Sequence, residues 1–326
     1  MTAPLLHHGG NLAAARARYG EGAWIDLSTG INPVPWPVPD DLRWDWHALP
    51  QPAALAALEA AAAAHFGVDP ALVCALPGSE MGLRLLGLLL GGSAFHRVPG
   101  YRTHGAMFAA STPLAADAAP PPGEAALILA NPNNPCGTLQ PRARLEAQLR
   151  DREAAGGWLV VDEAFVDPHP QASVAGLVAP GRRLVVFRSF GKFFGLAGLR
   201  LGFVLAPPAV CTQYRRALGD WPIGAAALEI ATRAYRDSAW IDATGAALAA
   251  RAARLDDLIR RHGLEPIGAS PLFRLIDRED AGGMFERLAH AHILTRPFDY
   301  APRWLRFGLP ADDAAFDRLD RALAHG

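Results

Sequence analysis

Three residues in this chain have the types and settings for covalent chemistry on a carbonyl compound. Lys192 lies in Arg188-Ser189-Phe190-Gly191-Lys192-Phe193-Phe194-Gly195, among glycines and aromatics, and Arg200 follows eight positions later. An amine taken out of water loses part of its preference for the charged form, and a neutral amine attacks carbonyls. The planar fork of an arginine suits a phosphate or a carboxylate. Asp162 closes the apolar run Trp158-Leu159-Val160-Val161. It therefore stands at the carboxyl end of a strand, where ligands bind in open α/β sheets. Taken singly, a lysine in a turn is ordinarily a snorkelling surface residue, and an aspartate after a strand ordinarily a cap. The lysine is set apart by its flanking pattern.

The elements that must position these residues follow from periodicity and breakers. Residues 125–130, 158–165, 184–187 and 203–206 read as strands, the first three as short apolar runs without helical spacing. Residues 24–27 give a short strand stopped by Gly30 and Asn32-Pro33. Helices are expected over 12–19, 53–66 (stopped by Gly67), 79–90 (with Ser79 as N-cap), 225–236 and 238–262. The run 35–39, Pro-Trp-Pro-Val-Pro, reads as an extended linker, and 118–123 as a surface connection. The C-terminal part reads as α+β: a strand over 271–276, a helix over 283–292, two short strands carrying Arg296 and Arg306, and a last helix from Asp312. The expected division is 1–45 as an N-terminal arm and part of a small domain, 46–222 as a large domain, and 223–326 as the small domain.

Composition narrows the classes further. The chain has 326 residues, 51% hydrophobic and 19% charged, with a net charge of −1, so it can fill a large core and offers no argument for nucleic acid or anionic membrane as partner. Cys74, Cys136 and Cys211 are widely spaced and form no metal pattern, which fits a reducing cytoplasm. Adjacent His7 and His8 would point to opposite faces of a strand and chelate one ion poorly. No signal-peptide layout opens the chain, and apolar residues 83–90 fall short of the roughly 20 needed to span a bilayer.

The ordered set of motifs resembles the fold-type-I pyridoxal-phosphate (PLP) enzymes, within them the branch of histidinol-phosphate aminotransferases and threonine-phosphate decarboxylases. The motifs are Gly78-Ser79, Pro99-Gly100-Tyr101, Asn133-Asn134-Pro135-Cys136-Gly137, Asp162, Ser189 to Lys192, Arg200 and Arg306. The resemblance runs from His8 to Arg306. It implies an α/β fold of aspartate-aminotransferase type, with a mostly parallel central sheet between helices and a small α+β domain. It also implies PLP as cofactor. Lys192 would be the cofactor-bonding lysine, and Asp162 the partner of the pyridine nitrogen. Tyr101 would stack on the ring, and Asn134 would bond its phenolic oxygen. The amides of Ser79, Glu80 and Met81, the Ser189 hydroxyl and Arg200 would take the cofactor phosphate. Two positions depart from the pattern: Leu49 replaces a tyrosine that reaches a partner subunit's cofactor, and Gly191 replaces a second hydroxyl.

The reaction is less constrained than the cofactor. His8-Gly9-Gly10-Asn11, Phe165 in place of a tyrosine, and the pair Arg296 and Arg306 resemble the decarboxylases. This implies a phosphorylated amino-acid substrate, with Arg306 on its carboxylate and Arg296, His8, Gly9, Gly10 and Asn32 on its phosphate. The expected reaction is decarboxylation of L-threonine O-3-phosphate to (R)-1-amino-2-propanol O-2-phosphate, a step of cobalamin biosynthesis, in a cytoplasmic homodimer. A histidinol-phosphate-type aminotransferase and a catalytically silent PLP-fold binding protein stay open as alternatives.

Overall fold

Runs of β-branched residues become strands here because both faces of the sheet are covered. Val160, Val161, Val185, Val186 and Val204 are all fully buried. The computed structural model describes residues 5–6 and 8–324; His7 of the histidine pair lies outside the described residues. In chain order its strands are β1 (Ile25–Asp26), β2 (Val73–Leu76), β3 (Ser93–Val98), β4 (Ala110–Ala115), β5 (Ala126–Ala130), β6 (Leu159–Asp162), β7 (Leu184–Ser189), β8 (Gly202–Leu205), β9 (Phe273–Asp277), β10 (Ile293–Leu294), β11 (Arg296–Pro297) and β12 (Trp304–Gly308). No described helix is long and apolar enough to cross a membrane.

The chain forms two units. The larger comprises Pro35–Asn134 and Leu139–Ala243; the smaller comprises the chain up to Val34, Pro135–Thr138 and the chain from Thr244 onward. The breaks therefore fall at 34 and 243 rather than at 45 and 222. Two packing facts explain the shift. Trp36 is buried within the larger unit, its backbone N–H donating to Phe194 O at 2.9 Å and its indole N–H to Asp237 at 3.1 Å. The proline run is thus docked chain rather than a linker. The helix Ala225–Arg236 also belongs to this unit, where Tyr235 packs edge-on to Phe66 and Phe203.

The larger unit is a seven-stranded sheet in the order β2-β8-β7-β6-β5-β3-β4. Strands β3 to β7 are mutually parallel, and β8 runs antiparallel to both β7 and β2. The helices Ser79–Leu90 and Pro208–Leu218 contribute Leu83, Leu86, Val210 and Tyr214 to the core on one face. Gly82 is where that first helix meets the sheet: a Cβ there would run into Leu76 and Phe187, and its carbonyl accepts the Tyr214 hydroxyl at 2.7 Å. Ser79 is the first helical residue, and the N-cap is Gly78, at φ +85°. This corrects the expectation of Ser79 as cap. Glycine is used because the chain must turn through the left-handed region there.

In the smaller unit, β11, β12 and β9 form an antiparallel sheet, and β1 pairs in parallel with β10. Residues 27–29 lie between these pieces. Leu27 N–H donates to Leu294 O at 2.7 Å, and Gly308 N–H donates to Leu27 O at 2.6 Å. The Pro135–Thr138 loop joins this unit through Gly137 O, which accepts Ala269 N–H at 2.9 Å.

Candidate active site

Topology alone brings the expected cofactor residues to one edge of the larger unit's sheet. Tyr101 follows β3, Asn134 follows β5, Asp162 ends β6 and Ser189 ends β7. Because β8 is reversed, the strand entered from Arg200 begins at that same edge, and the helix from Ser79 leaves β2 there. This is the carboxyl edge of the parallel strands, the usual ligand side of such sheets.

Gly78 and Arg200 form a cradle. A Cβ on Gly78 would stand 2.6 Å from Arg200 Nη2, so the guanidinium lies directly over the glycine backbone. Arg200 itself holds left-handed backbone at φ 53°, a strained setting for a non-glycine residue that aims its side chain. First-turn amides of a helix have no partner inside it and suit an anion. Met81 N–H, however, donates to Gly78 O at 3.2 Å, which leaves the amides of Ser79 and Glu80 for that role and corrects the inclusion of Met81. Gly191, where a hydroxyl was expected, has a steric reason. A Cβ there would lie 2.6 Å from Ala197 Cα, so the turn carrying Lys192 closes only with glycine. A cradle of one guanidinium, two amides and the half-buried Ser189 fits the phosphate of PLP.

Asp162 is 6% exposed. Its Oδ1 accepts Ala164 N–H at 3.1 Å, and its Oδ2 is 3.1 Å from His104 Nε2. The other oxygen-lined partner in this set is Glu80, whose carboxylate accepts the Tyr101 hydroxyl at 2.9 Å, the Thr103 hydroxyl at 2.9 Å and Arg84 Nε at 2.6 Å. Burial, with the Glu80 carboxylate next, pushes the Tyr101 phenol well above its ordinary value, so it stays a donor. Lys192 is half-buried, with Nζ 5.5 Å from the centroid of the buried Phe165 ring. Neither His104 nor the side chain of Glu80 was evident from sequence.

The lysine turn rests on a stiff base. Phe190 and Phe194 stack with centroids 4.5 Å apart, and Phe194 stacks on Trp240 at 5.5 Å. Behind Ser189, buried Arg188 donates to Asp167 at 2.5 Å and to Glu163 at 3.4 Å, and lies 4.5 Å over the Phe66 ring. Glu163 also accepts the Ser173 hydroxyl and Val174 N–H. Full burial raises the Glu163 carboxyl despite Arg188. Burial acts the same way on Asp167, but there Arg188 and His65 outweigh it and hold the carboxyl below its ordinary value.

The smaller unit holds the expected substrate residues. Arg296 and Arg306 are register partners on β11 and β12, each 6% exposed. Arg306 lies 4.8 Å over the Phe273 ring and donates to Ser28 O at 3.1 Å. Arg296 lies 5.0 Å over Phe298 and donates to Leu5 O at 3.1 Å. Burial, and then the charge of Arg296, push the Arg306 guanidinium down to about 10, still cationic at neutral pH. Gly9 and Gly10 sit against Ser28, and the Gly10 N–H donates to Ser28 Oγ at 2.7 Å, which corrects the inclusion of Gly10 as a phosphate donor. Asn32 is buried, with Oδ1 accepting Val34 N–H at 3.0 Å, and His8 is exposed.

The chain has relatives among known proteins. A threonine-phosphate decarboxylase of Sinorhizobium sp is 41% identical over 332 residues, 99% of either chain. One from Pseudomonas aeruginosa is 40% identical over 334 residues, covering 98% of this chain and 97% of that one. The solved histidinol-phosphate aminotransferase of Sinorhizobium meliloti, in complex with pyridoxal-5'-phosphate, superposes with a TM-score of 0.72 at 22% identity, covering 86% and 83% of the two chains. Residues 90–323 match the family model for aminotransferase class I and II, a span from before β3 to within the last helix. With that match and two relatives similar along their whole length, the chain belongs to the class I and II aminotransferase family.

Proposed function

We propose that this protein is a PLP-dependent decarboxylase that converts L-threonine O-3-phosphate to (R)-1-amino-2-propanol O-2-phosphate and CO₂, the product serving the nucleotide loop of cobalamin. The observation that carries the substrate class is the buried register pair Arg296 and Arg306. Two cations brought together out of water repel each other and lose hydration. A small substrate with two anionic groups relieves both costs. The two full-length relatives are decarboxylases of such a substrate by name.

Arg306 takes the carboxylate, and Arg296 with His8, Gly9 and Asn32 takes the phosphate; the Gly10 N–H is already donated to Ser28 Oγ, so Gly10 shapes the arm instead. On the cofactor side, Arg200, Ser189 and the amides of Ser79 and Glu80 hold the PLP phosphate. Tyr101 covers the ring, Asn134 bonds its phenolic oxygen, Asp162 keeps the ring nitrogen protonated, and Lys192 anchors the group through Nζ. Bound PLP supplies an electron sink for the pair released when a bond to the substrate's α-carbon breaks. The protein decides which bond that is by orientation, so the grip of Arg306 on the carboxylate selects the carbon–carbon bond. CO₂ leaves, and Lys192 Nζ delivers a proton to the α-carbon. Phe165 offers no donor beside this chemistry, where a tyrosine would.

A homodimer in the cytoplasm completes the proposal. Trp46, Leu49 and Trp221 expose 76%, 59% and 54% of their surface. Trp221 does so from left-handed backbone at φ 55°, a costly setting for a large side chain. Large apolar side chains left this exposed suit an interaction surface. The free cysteines fit a reducing compartment.

The test supplies PLP-loaded protein with threonine phosphate and measures CO₂ and aminopropanol phosphate. A parallel arm supplies histidinol phosphate with a keto acid. CO₂ release that disappears in Lys192→Ala, together with a changed cofactor absorbance, is the expected result. Amino-group transfer without CO₂ would overturn it in favour of an aminotransferase.

A further inference from the structure

Ser28 is 1% exposed and sits at a junction. Its hydroxyl donates to Asp26 Oδ1 at 2.5 Å and accepts Gly10 N–H at 2.7 Å. Its own N–H donates to the same Asp26 oxygen at 2.8 Å, and its carbonyl accepts Arg306 Nη2 at 3.1 Å. An ionised carboxylate only accepts, so Asp26 fixes the direction of the hydroxyl proton and turns a lone pair of Ser28 Oγ toward Gly10. Gly9 is part of the same contact: a Cβ there would collide with the Ser28 carbonyl. Gly10 adds a left-handed φ of +83°. The arm's backbone is thereby pressed onto one residue, over a second clip from Arg296 to Leu5 O at 3.1 Å.

We infer that Ser28, oriented by Asp26, is a positioning residue that seats the Gly9-Gly10 segment for the substrate's phosphate while its carbonyl steadies the carboxylate-binding Arg306. The two tasks use different atoms. The side chain serves the arm, and the backbone serves the arginine. Removing the hydroxyl therefore separates them: the tether to Gly10 is lost, while the bond to Arg306 remains. This rests on the reading of Gly9, next to the tethered Gly10, as a phosphate contact.

The experiment uses the full-length, PLP-loaded protein, with Ser28→Ala and, as a second variant that keeps the hydroxyl but removes its orienting acceptor, Asp26→Ala. Three quantities are read: amide exchange at Gly10, the dissociation constant for inorganic phosphate by calorimetry, and KM and kcat for threonine phosphate. Loss of one directed hydrogen bond should speed Gly10 exchange and weaken phosphate binding by about tenfold each. KM should rise by a similar factor while kcat stays within about twofold, because Arg306 is still held. A structural role alone would lower the melting temperature and the active fraction, seen as reduced kcat, with KM and phosphate affinity unchanged; that result overturns the inference. So does a wild type without affinity for phosphate, or unchanged Gly10 exchange in both variants. If the wild type releases no CO₂ from threonine phosphate, the reaction assignment fails, and Gly10 exchange and phosphate binding still decide the role of Ser28.

Discussion

Tyr101 is held at its hydroxyl by Glu80, and Glu80 is held in turn by Thr103 and Arg84. A ring meant to cover a flat cofactor gains from this, because a phenyl face that cannot swing costs less entropy to order. Glu80→Ala should therefore weaken cofactor binding by about tenfold, the worth of one charge-assisted hydrogen bond, and Tyr101→Phe should match it. A cofactor titration followed by absorbance checks both, and an unchanged Glu80→Ala would remove this role. The residue scale also shows what sequence can carry. Lys192, Asp162, Arg200 and Tyr101 were legible because each sits beside a breaker or strand end that names its place. The side-chain role of Glu80, and His104 and Ser28 altogether, were not, since their partners lie 21, 58 and 18 positions away and nothing local marks the pairing. Only the Asp26-Leu27-Ser28 turn has a sequence signature, an aspartate bonding the backbone two residues on.

The lysine turn shows how an element constrains its residues. Gly191 faces Ala197 Cα so closely that Gly191→Ser would not supply the missing hydroxyl to the phosphate cradle. It should instead overpack the turn, at about 1–3 kcal/mol, and loosen the cofactor. Chemical denaturation and cofactor titration measure these, and a tighter-binding, equally stable variant would contradict the steric account. Beneath that turn, Asp167 gives a pH dependence. Its folded-state carboxyl lies below the ordinary 3.8, so it stabilises the protein above that value and loses this contribution as pH falls through the folded value. Glu163 has the opposite sign, since burial raises its carboxyl. Asp167→Asn should then be less stable at neutral pH and show a shallower loss of urea midpoint on acidification than wild type; parallel acid limbs would exclude the linkage. Among elements, β5, β6 and β7 were legible as unbroken apolar runs. Strand β3 was not, because Arg97 and His96 interrupt it, and β4 was not, because it lies at an end of the sheet, largely exposed, with Pro113 inside. The register that sets Arg296 opposite Arg306 is a property of paired strands, and a single sequence does not display it.

At the scale of the molecule, the exposed tryptophans and Leu49 call for cover. Light scattering should give the mass of two chains, and Leu49→Glu with Trp221→Glu should give one; a wild-type monomer would refute the homodimer. The reversed strand β8 has a consequence in time as well as in space. Strands β7 and β8 are joined by the short stretch from Phe190 to Leu201, so Ser189, Lys192 and Arg200 come together by a local closure. Gly78 and Ser79 reach them only when β2 docks on β8, from more than a hundred positions upstream. Local contacts form ahead of distant ones because a smaller loop must be closed. During refolding, cofactor capture should therefore lag behind protection of the β7 and β8 amides in pulse-labelled exchange, and simultaneous onset would reject this order. The anion cradle is, on this account, the last part of the sheet's edge to exist, and a chain that holds its cofactor has already finished folding there.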